Sequence, residues 1–254
     1  MITIKSPAEL ATTARAADIV VEALKAAHEA LRPGVATAAL DGFVRKSIER
    51  AGGRPAFLGY RGFPAASCIS LNEEIVHGIP APTRYVRDGD LVSIDVGVEL
   101  DGYYADAATT WAVGDVDDVS RRLLAAGRTC LERAVAASRA GSRLGDVSFA
   151  IESAARAAGF DVVREYVGHG IGTALHEDPQ VPNYGPPDRG VKLALGMTLA
   201  LEPMVVAGDW HTRVGADGWT VSTRDGRRAV HFEHTVAVGR DGPQVFTRGW
   251  EEFA

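Results

Sequence analysis

The chain predicts an α+β fold in which one helix–helix–strands unit occurs twice, and three observations carry the prediction. Ala-rich segments with apolar residues at helical spacing are followed, in each half, by blocks of strand-like alternation. The halves align without a gap. Gly34 to Gly52 falls on Gly141 to Gly159, so that Leu40 meets Val147, Val44 meets Ile151, Ile48 meets Ala155, and Ala51-Gly52 meets Ala158-Gly159. No linker rich in proline, glycine or serine separates them, so they are expected to share one sheet and one core. The period is far longer than that of a solenoid repeat. Chance likeness between two amphipathic helices is the competing reading of the alignment.

The elements follow in order. Ser6-Pro7 is a helix start, and the Ala-rich run from Pro7 to Ala30 carries Leu, Ile and Val at helical spacing until Arg32-Pro33-Gly34 stops it. A second helix is predicted from Ala38 to Ala51, closed by Gly52-Gly53. Strands are expected near Ala66–Leu71, Asp90–Val98 and Tyr104–Val113. In the second half a helix around Val119–Ala140 mirrors the first. Strands are expected near Met197–Leu201, Thr220–Ser222 and His231–Val238.

Composition narrows the class. The 254 residues are 46% hydrophobic and 24% charged, ordinary for a globular protein with a sizeable core. A net charge of -6 and the lack of any basic run argue against a nucleic-acid partner. The two cysteines, Cys68 and Cys130, are far apart, which excludes a disulfide scaffold or a cysteine-ligated zinc and suits a reducing compartment. Met1 to Leu10 has no signal-peptide h-region. No run approaches the roughly 18–20 apolar residues of a membrane helix. The expectation is a cytoplasmic protein without a membrane partner.

The acids and histidines stand in unusual places. Asp95 lies in the apolar run Val92-Ser93-Ile94-Asp95-Val96-Gly97, where an isolated charge is costly, so a cation partner or a metal must compensate it. Asp101-Gly102 is a hairpin signal, and strands joined there would let Asp95 and Asp106 face each other. Two facing carboxylates repel unless they share a proton or a cation, which favours a metal. His169 sits between glycines in Gly168-His169-Gly170-Ile171-Gly172, a segment that admits a close backbone approach while presenting one imidazole. His176 follows seven residues later, a spacing unlike the H-E-x-x-H zinc helix. Taken singly, each of these histidines reads as a surface or capping residue. Glu202 precedes Pro203 at the end of an apolar run, and Glu233 lies within a strand pattern; each alone reads as a solvated strand edge. Four carboxylates at strand positions with a glycine-flanked histidine form a donor set for Mn, Fe, Co or Zn. Bridging carboxylates suit a pair of ions about 3.5–4 Å apart.

These motifs resemble the type I methionine aminopeptidases. The likeness runs from Ile4-Lys5-Ser6-Pro7 to the final strands, and its most specific pieces are Cys68 to Pro80, Gly168 to Gly172, Leu201 to Met204 and Glu233-His234-Thr235. The resemblance implies a pseudo-twofold "pita-bread" fold, an antiparallel curved sheet covered by helices, in one catalytic domain of two halves, about 1–115 and 116–254. It implies two divalent metal ions. Asp95 would chelate the first, Asp106 and Glu233 bridge both, and His169 and Glu202 complete the second. It makes His77 and His176 substrate-contacting residues and Glu202 the acid/base group. It lines a methionine pocket with Phe57, Tyr60, Phe63, Cys68, His77, Leu175 and Trp219. Phe57, Phe63 and Leu175 depart from the family pattern, which expects a small residue, a tyrosine and an aromatic there. Selectivity for methionine is therefore the least constrained expectation, and core packing is the competing reading of Phe57. His231 stands where the family carries glutamine, with tuning of the site and plain packing both open.

The implied substrates are amino termini of nascent polypeptides with a small second residue, acted on by a monomer, with ribosome proximity possible. Two rivals share the fold: an X-Pro aminopeptidase or prolidase, which usually carries a separate amino-terminal domain, and a metal-free binding protein, which would have lost its ligands.

Overall fold

Ser6 has extended backbone, its hydroxyl accepts the Glu9 amide at 3.4 Å, and the Glu9 carboxylate returns to the Ser6 amide at 2.7 Å. This capping box starts helix α1 (Pro7–Ala30). Gly34 turns the chain with φ of 87°, and α2 (Thr37–Arg50) runs until Gly52 stops it with φ of 82°. The strands β1 (Arg54–Pro55), β2 (Ser67–Leu71), β3 (Glu74–Val76), β4 (Leu91–Leu100) and β5 (Tyr103–Ala112) complete the first half. Then come α3 (Asp118–Ala137), α4 (Leu144–Ala157), β6 (Asp161–Val162), β7 (Gly168–Gly170), β8 (Glu177–Val181), β9 (Thr198–Leu201) and β10 (Met204–Val206). The last strands are β11 (Thr212–Val214), β12 (Val221–Thr223), β13 (Ala229–His231), β14 (His234–Val238) and β15 (Pro243–Val245). These positions come from a computed structural model, which describes residues 2–250.

The repeat seen in the sequence recurs in the backbone. Helices α2 and α4 both have 14 residues, and the alignment places one on the other end to end. Each follows an antiparallel bridge, Ala36 to Tyr85 and Arg143 to Lys192, at matching positions. Gly159, the counterpart of Gly52, has φ of 83°.

Every strand pairing is antiparallel. β4 carries β1 and β2 on one edge and β5 on the other, while β14 and β9 lead through β7 to β8 in a five-stranded sheet. Two three-stranded sheets, β13-β10-β6 and β11-β12-β3, flank them. Helix α1 presents the fully buried small residues Ala16, Ala17, Ala23 and Ala27, which let it lie close on β4 and β5. The main core cluster runs from Val20 and Ile94 to Leu123, Leu199 and Val236, so both halves share it. This is the antiparallel, helix-covered architecture expected, but not the single shared sheet: the strands form four hydrogen-bonded sheets, and strands of the two halves pair where β12 meets β3.

Hydrogen bonds tie the inner strands of the halves together. The Asp106 amide donates to Thr235 Oγ1 at 3.0 Å, and that hydroxyl donates to the Asp106 carbonyl at 2.7 Å. The structure corrects one element. The expected strand His231–Val238 is two, β13 and β14, broken at Phe232-Glu233. There the Glu233 amide leaves its own sheet and donates to the Ala108 carbonyl of β5 at 2.8 Å. Among the described residues no helix is long and apolar enough to cross a membrane.

Candidate metal centre

The hairpin β4–β5 turns at Asp101 and Gly102, both with positive φ (51° and 82°), a primed turn that matches the strand twist. Its register sets Asp95 opposite Ala108 and Gly97 opposite Asp106. The two aspartates are thus diagonal neighbours on one face, close enough to interact. Glu202 and Glu233 come from the breaks between β9 and β10 and between β13 and β14. Pro203 has no amide hydrogen, so pairing stops there, and the freed carboxylate turns inward. Glu233 stood in the sequence as a mid-strand residue; its side chain reaches Asp106, with which it shares a hydrogen bond, because the strand is interrupted.

His169 is on β7, opposite Ala200 of β9. Its flanking glycines are required by close backbone approach. A Cβ at Gly168 would lie 2.5 Å from the Ala200 carbonyl oxygen, and one at Gly170 would lie 2.2 Å from that of Asp178. His169 Nδ1 lies 2.9 Å from the Gly170 carbonyl and donates its hydrogen there, leaving the Nε2 lone pair free. Nε2 stands 3.6 Å from Asp106 Oδ2 and 3.5 Å from Glu202 Oε1. Donor atoms of Asp106, His169 and Glu233, all buried, lie within 4.8 Å of one another.

Burial and mutual repulsion act on these acids together. Burial, then the charges of its neighbours, raises the pKa of Asp95, Glu202 and Glu233 far above the usual carboxylate range. Burial raises Asp106 to about 6, against the opposing effects of His176 and the Thr235 hydroxyl. Burial draws His169 down to about 4, so the ring is neutral at neutral pH. Asp95 Oδ1 is buried without a hydrogen-bond partner. Such a group calls for compensation, and there is no lysine or arginine in the cavity wall except Arg61. Four carboxylates, a neutral imidazole and an orphaned oxygen fit divalent cations well: hard oxygen donors with one nitrogen suit Mn, Fe, Co or Zn.

The centre lines a cavity of about 150 Å³. Asp95, Asp106, His169, Glu202 and Glu233 meet there with Phe57, Tyr60, Phe63, Cys68, His77, Leu175, His176 and Trp219, so every residue expected to hold metal or substrate lines it, whereas His231 does not. Phe63 and Trp219 pack edge to face at 5.2 Å. The Phe57 ring lies against Gly97, where a Cβ would approach it to 2.5 Å. His77, with φ of 60°, sets its ring edge-on to Trp219 and Tyr166. His176 Nδ1 lies 2.9 Å from the Tyr60 hydroxyl, and its ring lies tilted at 45° to that of His169, 4.2 Å between centroids. Burial first, then His169, pulls its pKa down to about 4. Arg61, also in the wall and 5.4 Å over the Tyr60 ring, was missed because Tyr60-Arg61-Gly62 has no distinguishing pattern.

An antiparallel fold that gathers a carboxylate and imidazole donor set in the wall of a cavity lined by aromatic side chains defines a divalent-metal hydrolase. Residues 11–240 match the model of Metallopeptidase family M24, and the chain belongs to that family, among its type I methionine aminopeptidases. It is 44% identical over 248 residues to methionine aminopeptidase 1 of Bacillus subtilis, covering 98% of this chain and 100% of that protein. It is 46% identical over 251 residues to methionine aminopeptidase 1 of Mycobacterium tuberculosis, covering 96% and 94%. The crystal structure of methionine aminopeptidase from Thermotoga maritima superposes with a TM-score of 0.97 at 44% identity, over 98% of this chain and 100% of that one.

Proposed function

We propose that the chain removes amino-terminal methionine from nascent polypeptides with a small second residue, as a single catalytic domain of two halves meeting near residues 115 and 116. The observation that carries this is the cluster of Asp106, His169 and Glu233 in the wall of a cavity that Phe57, Tyr60, Phe63 and Trp219 also line. Asp95, Asp106 and Glu233 would hold one divalent ion, and Asp106, Glu233, His169 and Glu202 the other. When bound, the ions supply Lewis-acid chemistry that acidifies water and polarises a carbonyl.

The chain's own residues supply the rest. Glu202 takes a proton from water at a carboxylate oxygen and returns it to the leaving amine. The Tyr60 hydroxyl lies 2.9 Å from His176 Nδ1, and as donor there it would place the proton of the neutral ring on Nε2. That N–H would donate to the scissile carbonyl oxygen as charge develops there. His77, also in the wall, helps to orient the first peptide amide. Phe57, Phe63, Leu175 and Trp219 enclose an unbranched apolar side chain, and sulfur–aromatic contact favours methionine. The free amino terminus of the substrate would bind a metal, so only the first residue is cut, hence exopeptidase action. No serine or cysteine nucleophile is required, since Cys68 is buried and burial pushes its thiol pKa well up.

The test is hydrolysis of Met-Gly-Met and of Leu- and Pro-containing peptides by metal-free protein titrated with Mn, Co, Fe and Zn. Metal-dependent release of the first methionine alone is expected. Cleavage of X-Pro peptides instead would replace the reading with a prolidase, and no hydrolysis with any metal would replace it with a binding protein.

A further inference from the structure

Glu202 stands between two imidazoles, one at each oxygen. His169 Nε2 lies 3.5 Å from Oε1, and His231 Nε2 lies 3.6 Å from Oε2. His169 belongs to the donor set, whereas His231 does not line the cavity. It is 2% exposed, and its Nε2 is buried with no hydrogen-bond partner. A buried ring nitrogen left unpaired is costly, and one that carries the hydrogen needs an acceptor. Glu202 is the acceptor that the ring faces.

The position of the ring is fixed from behind. The His231 amide donates to Thr110 Oγ1 at 2.9 Å, and its carbonyl oxygen lies 2.9 Å from the same hydroxyl. Ser93 Oγ lies 2.8 Å from Thr110 Oγ1. Thr110 is on β5 with Asp106, and Ser93 is on β4 with Asp95, so the strands that carry the aspartates also place His231. On its other side His231 pairs with Met204, two residues beyond Glu202.

We infer that His231 is a positioning residue whose Nε2 holds Glu202 Oε2 and thereby turns Oε1 toward His169 and the donor set. The inference rests on the reading of the centre given above. A carboxylate with one oxygen held keeps a single rotation about its last side-chain bond. With neither held it samples several, and the ordering cost falls on ion binding. A small rotation of either side chain closes 3.6 Å to the usual range of about 2.7–2.9 Å for a hydrogen bond to a carboxylate. The role belongs to the N–H rather than to the ring, so a side chain of equal reach with an amide hydrogen serves, and a shorter one does not.

Calorimetric titration of metal-free protein with Mn2+, alongside steady-state hydrolysis of Met-Gly-Met, separates the possibilities. His231→Leu and His231→Asn are expected to weaken one of the two Mn2+ sites by about 10–100-fold, as loss of an outer partner does. They are also expected to lower kcat more than they raise KM. His231→Gln is expected to recover most of both. Thermal melting of the metal-free variants shows whether each is folded, and His231→Asn, which stays polar and adds no bulk, carries the test if the leucine variant does not fold. Wild-type Mn2+ affinity and kcat in the leucine and asparagine variants would overturn the inference. So would a glutamine variant as impaired as the leucine one, since ring packing would then be what matters. A wild-type protein that binds no Mn2+ would instead overturn the reading of the centre, and the inference with it.

Discussion

Replacing Lys5 with methionine tests how the loop bearing His176 is held. Lys5 Nζ lies 2.5 Å from Glu177 Oε2, with side chains only 3% and 8% exposed. The same carboxylate accepts from Thr3 Oγ1 at 2.5 Å and from the Thr173 and Ala174 amides at 2.7 and 3.2 Å. It therefore pins residues 173–177, which present Leu175 and His176 to the cavity. Burial alone would raise the Glu177 pKa, but the bonds from Lys5 and Thr3 outweigh it and hold it at about 2, against an ordinary 4.5. That span corresponds to about 3 kcal/mol, reduced to roughly 2–3 by solvent screening. Breaking a buried pair from one side typically costs about 3–5 kcal/mol. Lys5→Met should thus destabilise by about 3 kcal/mol at pH 7 and lower Tm by roughly 6–12 °C. Because the native pKa is depressed, this stabilisation is complete above pH 4.5 and fades as the pH falls toward 2. Urea unfolding of both proteins between pH 7 and 3.5 reads the difference, which should shrink below pH 4.5. An unchanged Tm at pH 7, or a gap that stays constant into acid, would refute the reasoning.

Three further outcomes follow from the site. Asp106→Asn should abolish turnover, by more than about 100-fold since it removes a ligand and not merely an outer partner, while circular dichroism shows a folded protein; undiminished activity would exclude its shared role. Gly97→Ala drives a Cβ to 2.5 Å from the Phe57 ring, and the ring's displacement into the cavity, at about 1–3 kcal/mol, should raise KM for Met-Gly-Met roughly tenfold. Tyr60→Phe removes the hydroxyl from His176 Nδ1 and should lower kcat about tenfold, the worth of one hydrogen bond, with KM nearly unchanged; equal kcat would mean that the ring is oriented without it.

Much of this was legible in residue order, for identifiable reasons. The helices carried capping and stop signals at Ser6, Gly34 and Gly52, so the α1 bounds and the one-to-one match of α2 with α4 could be read directly. Asp95 and Asp106 were readable as a pair because a hairpin of known turn type fixes which residues share a face. Glu233 was placed in the right neighbourhood but in the wrong local structure. Its inward aim depends on a strand break sustained by Ala108, far away in sequence, and no local pattern encodes that partner. The short strands β3, β6, β10 and β11 have two or three residues each, too few for periodicity to register. Arg61 stayed invisible for a related reason: a lone cation in a Gly-flanked turn acquires meaning only from the wall it joins. His231 was visible as a departure from the family pattern, yet its facing of Glu202 needed coordinates.

The central claim is that Asp95, Asp106, His169, Glu202 and Glu233 hold two divalent ions. Anomalous diffraction from crystals grown with Mn2+ tests it most directly. The account predicts two peaks within the cluster, about 3.5–4 Å apart, each bonded to Asp106 and Glu233. No peak there, or a single ion held by other side chains, would contradict it.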